Sequence, residues 1–234
     1  MTTILSTTYC GPVQWYQKLY RSDLVLMECH ETFQKQTYRN RCVIATTNGP
    51  QTLTVPVERG TSPFIRDIRI SNHGNWRHQH WHALMSAYNE SPFFDYYQDD
   101  FRPFFEKKYD FLFDFNMEIC QKVCELIDIQ PNIRETEEYF RSEGVRPLPP
   151  PSPWRGSFTS NPSSLIPHPS SLISHPSSNP IDLRSAINPK HPDEDADFVA
   201  RRYYQVYERK HGFQPNLSIL DLLFNMGPES VFWL

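Results

Sequence analysis

No segment of this chain approaches the ~20 consecutive apolar residues that a bilayer-crossing helix requires, so no membrane span is expected. The first residues lack a cationic stretch followed by an apolar run and do not read as a secretion signal. There is no Gly-rich phosphate-cradling loop, no dinucleotide fingerprint and no Gly-x-Ser-x-Gly elbow, which sets aside the commonest nucleotide-binding and serine-hydrolase devices. Cationic excess is missing too. The formal net charge is -4 over 234 residues, the wrong sign for broad contact with a nucleic-acid backbone. Cysteine is scarce and odd in number: Cys10, Cys29, Cys42, Cys120 and Cys124. Without a secretion signal that count predicts free thiols in a reducing compartment, hence the cytoplasm. Cys120 and Cys124 share a predicted helix, but no second Cys or His pair has zinc-binding spacing. They read as small buried hydrophobes, and no metal is expected.

What the chain does have is length enough for one large domain or two small ones, and dense aromatic clusters. The clusters lie at residues 93–97, 101–105 and 109–115, and such rings supply large burial area for a core. Residues 3–8 read as a strand, residues 13–20 as a helix through Val13, Tyr16, Leu19 and Tyr20, and residues 23–29 as a second strand. Strand, helix, strand predicts a parallel pair. Two further strands, 41–46 and 51–57, flank Thr47-Asn48-Gly49-Pro50, a hairpin signal. Residues 65–70 alternate and predict another strand. Helical spacing then takes over at 76–88, 97–108 and 111–127. The fold class that follows is α/β or α+β, with helices packed on a sheet.

Residues 144–180 are a different kind of polymer. A Pro-rich run precedes the tandem repeat Pro162-Ser163-Ser164-Leu165-Ile166-Pro167-His168 and Pro169-Ser170-Ser171-Leu172-Ile173-Ser174-His175. Repeated proline removes donors and blocks helix, and two copies are too few to stack. The expectation is a disordered insertion dividing one domain into parts 1–143 and 181–234. The fold is expected to resume at Ile181-Asp182-Leu183-Arg184, pass an acidic loop at 191–197 and form a strand over 201–207. Residues 217–226 have no continuous polar face and predict a buried terminal helix. Asp221 and Asn225, four apart on it, need partners if buried.

Three ordered phrases carry a resemblance. The first is Glu31-x-Phe33-x-Lys35-Gln36-x-Tyr38-Arg39-Asn40-Arg41-Cys42 followed by Leu53-Thr54-Val55-Pro56-Val57. The second is Trp76, His80 and Trp81, then Tyr88-x-x-Ser91-Pro92-Phe93-Phe94-x-x-Tyr97. The third is Phe213-x-Pro215-x-Leu217-Ser218-Ile219-Leu220-Asp221-Leu222-Leu223-Phe224-Asn225-x-Gly227. Together they resemble the bacterial WbqC-like proteins, and several long matches in order are far more specific than one short motif. The family takes its name from genes among surface-polysaccharide loci. The resemblance therefore implies a role in making or modifying glycans, and implies no settled reaction. It lapses in the middle, where longer relatives carry a structured region.

The densest polar constellation is Glu28, His30, Glu31, Lys35, Gln36, Arg39, Asn40 and Arg41, between two predicted strands. Loops leaving strand ends are where α/β folds place ligands. His30 is the candidate base, oriented by Glu28 or Glu31. Lys35, Arg39 and Arg41 are the candidate anion clamp, with Gln36, Asn40 and Asn225 as further substrate contacts and Asp221 as an orienting group. His80 is a second catalytic candidate because it falls on a family position. His78 and His82 share a helix face but lack a third ligand. Cys10, before Gly11-Pro12 and a helix, is a weaker candidate nucleophile.

These residues leave two main readings and one weaker one. The first is a transferase-type enzyme acting on a small anionic substrate, a nucleotide sugar or acyl donor, for a surface glycan. The second is a non-catalytic binding or assembly protein using the same cluster. The weaker third is a Cys-dependent acyl transferase or hydrolase. Cofactor and protein partners are left undetermined.

Overall fold

The computed structural model describes residues 1–58, 60, 62–141, 180–190, 195 and 197–234. Strand β1 (Thr2–Ser6) is buried along its whole length, as a central parallel strand covered on both faces must be. The chain turns at Gly11-Pro12 into helix α1 (Val13–Arg21) and returns as β2 (Leu24–Glu28). β2 lies parallel to β1 with Thr2 opposite Leu24 and Ser6 opposite Glu28, as the alternation of elements predicted. Two short strands not foreseen complete the sheet. β5 (Ile133–Glu135) and β6 (Ile181–Asp182) add in parallel to β2 and β1, giving the order β5-β2-β1-β6. They escaped notice because three and two residues carry no readable period.

β3 (Arg41–Thr46) and β4 (Gly49–Thr54) form the expected antiparallel hairpin. Its loop is tighter than the four-residue signal suggested. Thr46 pairs with Gly49, leaving only Thr47 and Asn48 between the strands. Gly49 takes a φ of 103°, which a side chain would oppose. The strand expected over 65–70 is not formed. Residues Ile65–Asp67 make a single 3-10 turn, and Arg69 and Ile70 make only isolated bridges, to Phe111 and Val57. The apolar alternation there records side chains dipping into the core from a loop.

Helices α2 (Trp76–Tyr88), α3 (Phe94–Glu106) and α4 (Leu112–Leu126) follow as predicted, α3 beginning three residues early. The strand expected over 201–207 is also absent. Tyr203 and Gln205 point inward while Tyr204 is exposed, so the alternation is real, but among the described residues no strand pairs with it. A short helix, α5 (Glu208–His211), comes next. Of the expected acidic loop only Asp195 and Asp197 are described. Asp195 is buried and bound by Lys18 at 2.9 Å and Gln14 at 3.0 Å. The Pro/Ser repeat at 162–178, with His168 and His175, lies outside the described residues.

The terminal phrase forms α6 (Ile219–Met226), buried from Ile219 to Asn225. Ser218 caps it, accepting from the Leu220 amide at 3.3 Å. Around this cap the Ile219 amide bonds Gly11 O, the Ser218 amide bonds Val43 O, and the Val13 amide bonds Leu217 O. The helix therefore knits α1 to the hairpin. Phe224 packs among Tyr88, Phe94 and Phe101 with ring centroids 5.2, 5.1 and 5.6 Å away. Truncating a phenylalanine so enclosed costs about 3–5 kcal/mol. All five cysteines are buried free thiols, and no helix among the described residues is long and apolar enough to cross a membrane.

Candidate functional site

In an open parallel sheet the ligand crevice lies beyond the carboxyl ends of the strands, where successive connections diverge to opposite sides. Here that point falls between β1, whose partner through α1 is β2, and β6 on its other flank. A narrow cleft opens there, lined by Ser6, Thr7, Thr8, Tyr38, Arg39 and Arg184 among others. Its free volume, about 10 Å³, is room for roughly one water. The hydroxyls of Thr7 and Thr8 are buried and have no hydrogen-bond partner among the described residues.

All four strand ends supply polar groups around this cleft. From β1 comes Ser6, which donates to Glu31 Oε2 at 3.0 Å. Arg39 grips both oxygens of Glu31, Nε to Oε1 at 2.7 Å and Nη2 to Oε2 at 2.5 Å, and also reaches Ser6 Oγ at 2.7 Å. This bidentate pair is almost wholly buried, at 4% and 6% side-chain exposure. Glu28, at the end of β2, has no exposed surface. It accepts from the His30 amide and Thr136 Oγ1 on one oxygen, and from the Phe140 amide and Arg184 Nη1 on the other. Arg184, just past β6, also binds Asp182 and donates to Phe140 O. Burial opposes its charge, but Asp182, Tyr139 and Glu28 outweigh that and raise its pKa. The layer holds three carboxylates, Glu28, Glu31 and Asp182, against two guanidinium groups, Arg39 and Arg184. Its cations are therefore already neutralised.

His30 sits at the edge of this layer. Its Nε2 lies 3.0 Å from the carbonyl oxygen of Thr136. A carbonyl only accepts, so Nε2 carries the proton and Nδ1 keeps its lone pair. Nδ1 has no partner among the described residues, and the ring is half-buried. A ring held in one tautomer with the other nitrogen open is the arrangement of a general base.

The remaining candidates fall in different places. Lys35 and Gln36 are exposed on the loop, Gln36 at a φ of 63°. Asn40 is buried and donates to Val55 O at 2.9 Å. Arg41, opening β3, is half-buried, with its Nε unpartnered among the described residues. His80 lies in the core, its Nδ1 2.9 Å from the Tyr9 hydroxyl and its ring edge-on to Trp76. Burial lowers its pKa to about 4, so it stays neutral near pH 7. Asp221 accepts from Tyr203 at 2.8 Å and Gln205 at 3.1 Å. Burial raises its pKa to about 6, although Tyr203, Tyr88 and Gln205 favour the carboxylate. Asn225 donates to Asp221 O at 2.8 Å. No hydrogen bond among the described residues joins His80, Asp221 or Asn225 to the layer around Glu28. Cys10 is buried, and burial together with neighbouring Cys42 raises its thiol pKa. No histidine bonds it among the described residues, which leaves the Cys-dependent reading without a base.

Ser6, Thr7, Thr8, Thr136, Asp182 and Arg184 were not foreseen as site residues. Only Asp182 and Arg184 left a trace, in the alternating Ile181-Asp182-Leu183-Arg184.

This polar layer lies beside the phrases already noted, at the carboxyl ends of a parallel sheet. The sequence profile of the WbqC-like protein family matches residues 7–148, and the chain belongs to that family. It is similar to an uncharacterized protein of Mycobacterium tuberculosis, Rv1507c, at 27% identity over 213 residues, covering 86% of this chain and 83% of that protein. No solved structure matches.

Proposed function

We propose that this protein is a transferase-type enzyme of surface-polysaccharide biosynthesis, acting in the cytoplasm on a small anionic donor such as a nucleotide sugar or an acyl donor. The observation that carries the reading is His30, fixed through Nε2 on the Thr136 carbonyl with Nδ1 open beside the carboxyl ends of the sheet. His30 takes the proton from the acceptor hydroxyl or amine as the new bond forms. Arg39 is held by Glu31 and Ser6 and so acts by fixing the loop. The charge for an anionic group then falls to Lys35 and Arg41, which have no carboxylate partner among the described residues. The Thr7 and Thr8 hydroxyls supply hydrogen bonds to the transferred group. Gln36 and Asn40 border the same loop, while Asp221, Asn225 and His80 support the fold behind it.

The narrowness of the cleft, about 10 Å³, and its neutralised arginines favour a second reading, a non-catalytic binding or assembly protein. A thermal-shift screen against nucleotide sugars, acyl carriers and phosphates separates the two, because a ligand that binds the native state raises its apparent stability. The enzyme reading expects one ligand class to raise the midpoint, Arg41→Ala to abolish that shift, and His30→Ala to retain it without turnover. No shift with any class, in a folded protein, would favour the assembly reading or an inactive, truncated relative instead.

A further inference from the structure

Away from the sheet edge, a groove of about 590 Å³ runs between α2 and α3. That is the size of a cofactor or nucleotide pocket, roughly 300–1,000 Å³. Its lining combines aromatic surface with positive charge, against the grain of a chain whose net charge is -4. Trp81 forms the wall, half-buried and backed by Phe105 and Phe94 at 5.6 and 6.2 Å between centroids. Arg102 is paired with Glu106 at 2.7 Å, so these two cancel. Lys108 is exposed and without a carboxylate partner among the described residues. Arg77 stacks on Trp76 at 4.6 Å and gives one N–H to Asn72. Its Nε and Nη2 are buried with no partner among the described residues. Those two nitrogens carry three N–H donors, and a buried donor left unmet costs about 1–3 kcal/mol unless something else satisfies it. His78 and His82, with ring centroids 4.1 Å apart, close the other side.

We propose that this groove is a second ligand site, independent of the sheet-edge reading, that takes a nucleoside phosphate. The base lies on Trp81, since stacking on an indole suits any flat ring and is worth about 1–3 kcal/mol. The phosphate meets Lys108 and, once its guanidinium swings off Trp76, Arg77, whose paired donors suit phosphate oxygens. His78 and His82 line the rim beside it.

The test is isothermal titration of the full chain with AMP, UMP, uridine, adenosine and inorganic phosphate. One nucleoside monophosphate is expected to bind one-to-one. Its nucleoside and inorganic phosphate alone should each bind at least about tenfold more weakly, a difference of about 1.4 kcal/mol. Lys108→Gln, at an exposed position, and Arg77→Gln should each weaken binding about fivefold or more, with thermal midpoints near wild type as the control for folding. Arg41→Ala, which should empty the sheet-edge site, should bind as wild type does. The proposal is overturned by no heat with either nucleotide, by affinity that survives the double Arg77→Gln/Lys108→Gln change, or by loss of binding in Arg41→Ala, which would move the ligand to the sheet edge.

Discussion

The imidazole of His30 rests on the main-chain carbonyl of Thr136, 3.0 Å from Nε2, and so joins the loop after β2 to the chain leaving β5. Because the partner is backbone, the ring's tautomer survives any side-chain change at Thr136. With the donor found in the screen, His30→Ala should lower turnover by about 100-fold or more while moving the thermal midpoint little. Thr136→Val should retain turnover. Equal rates for His30→Ala and wild type would remove the base.

Two buried groups pull stability in opposite directions with pH. His80 is neutral when folded, its pKa about 4 instead of 6.5. The unfolded chain binds that proton more readily, so its contribution is present above about 6.5 and lost as pH falls toward 4. Asp221 has its folded pKa raised to about 6. Its contribution is present below the ordinary carboxylate pKa and lost as pH rises through 6. Each slope is at most ~1.4 kcal/mol per pH unit. Relative to wild type, Asp221→Asn should therefore gain stability as pH rises from 4 to 6, and His80→Phe should lose it. Denaturant midpoints at pH 4, 5 and 6 check this, and variants that run parallel to wild type would contradict it.

The Arg39–Glu31 pair should behave as a coupled unit. Arg39→Met alone leaves a buried carboxylate uncompensated, at a cost of about 3–5 kcal/mol. Adding Glu31→Leu should recover much of that loss, measured by urea unfolding of the four members of the cycle. Additive losses would mean the two side chains stabilise the loop separately.

Gly227 ends α6 at a φ of 59°, and a β-carbon there would lie 2.5 Å from Phe93 Cδ1. Gly227→Ala combines a strained backbone with a ring that must move, so about 2–4 kcal/mol should be lost. A change under about 0.5 kcal/mol would show that the Phe93 ring yields freely.

Deleting residues 162–178 should leave the thermal midpoint nearly unchanged. The flanks have their own anchors, Phe140 on Glu28 and Arg184 on both Glu28 and Phe140. A drop of more than about 4 °C, about 1–2 kcal/mol for a chain of this size, would mean that the repeat packs on the core.

Much of this fold was legible because long elements repeat their signal. α2 spans its predicted residues, and α1, α4 and the β1–β2 pair differ by a residue or two at their ends. The alternations at 65–70 and 201–207 misled because period two reports which side chains are buried and says nothing of a neighbouring strand. Tyr203 and Gln205 turn inward to Asp221, not toward a ladder. The candidate site was legible only in part. His30, Glu31 and Arg39 are near in sequence and their charges stand out. Thr136 and Arg184 reach the same place from more than 100 residues away, and no local pattern announces such a meeting. Nor did charge alone reveal that Arg39 is spent on Glu31.

Glu28 holds both the amide of Phe140 and the guanidinium of Arg184, and Arg184 in turn holds the carbonyl of Phe140. The chain thus departs and returns through one gate, whose posts belong to the sheet. The posts are fixed by Glu28 and by the strands they flank. Length differences among relatives should therefore gather between Phe140 and Arg184, while Glu28 and Arg184 persist.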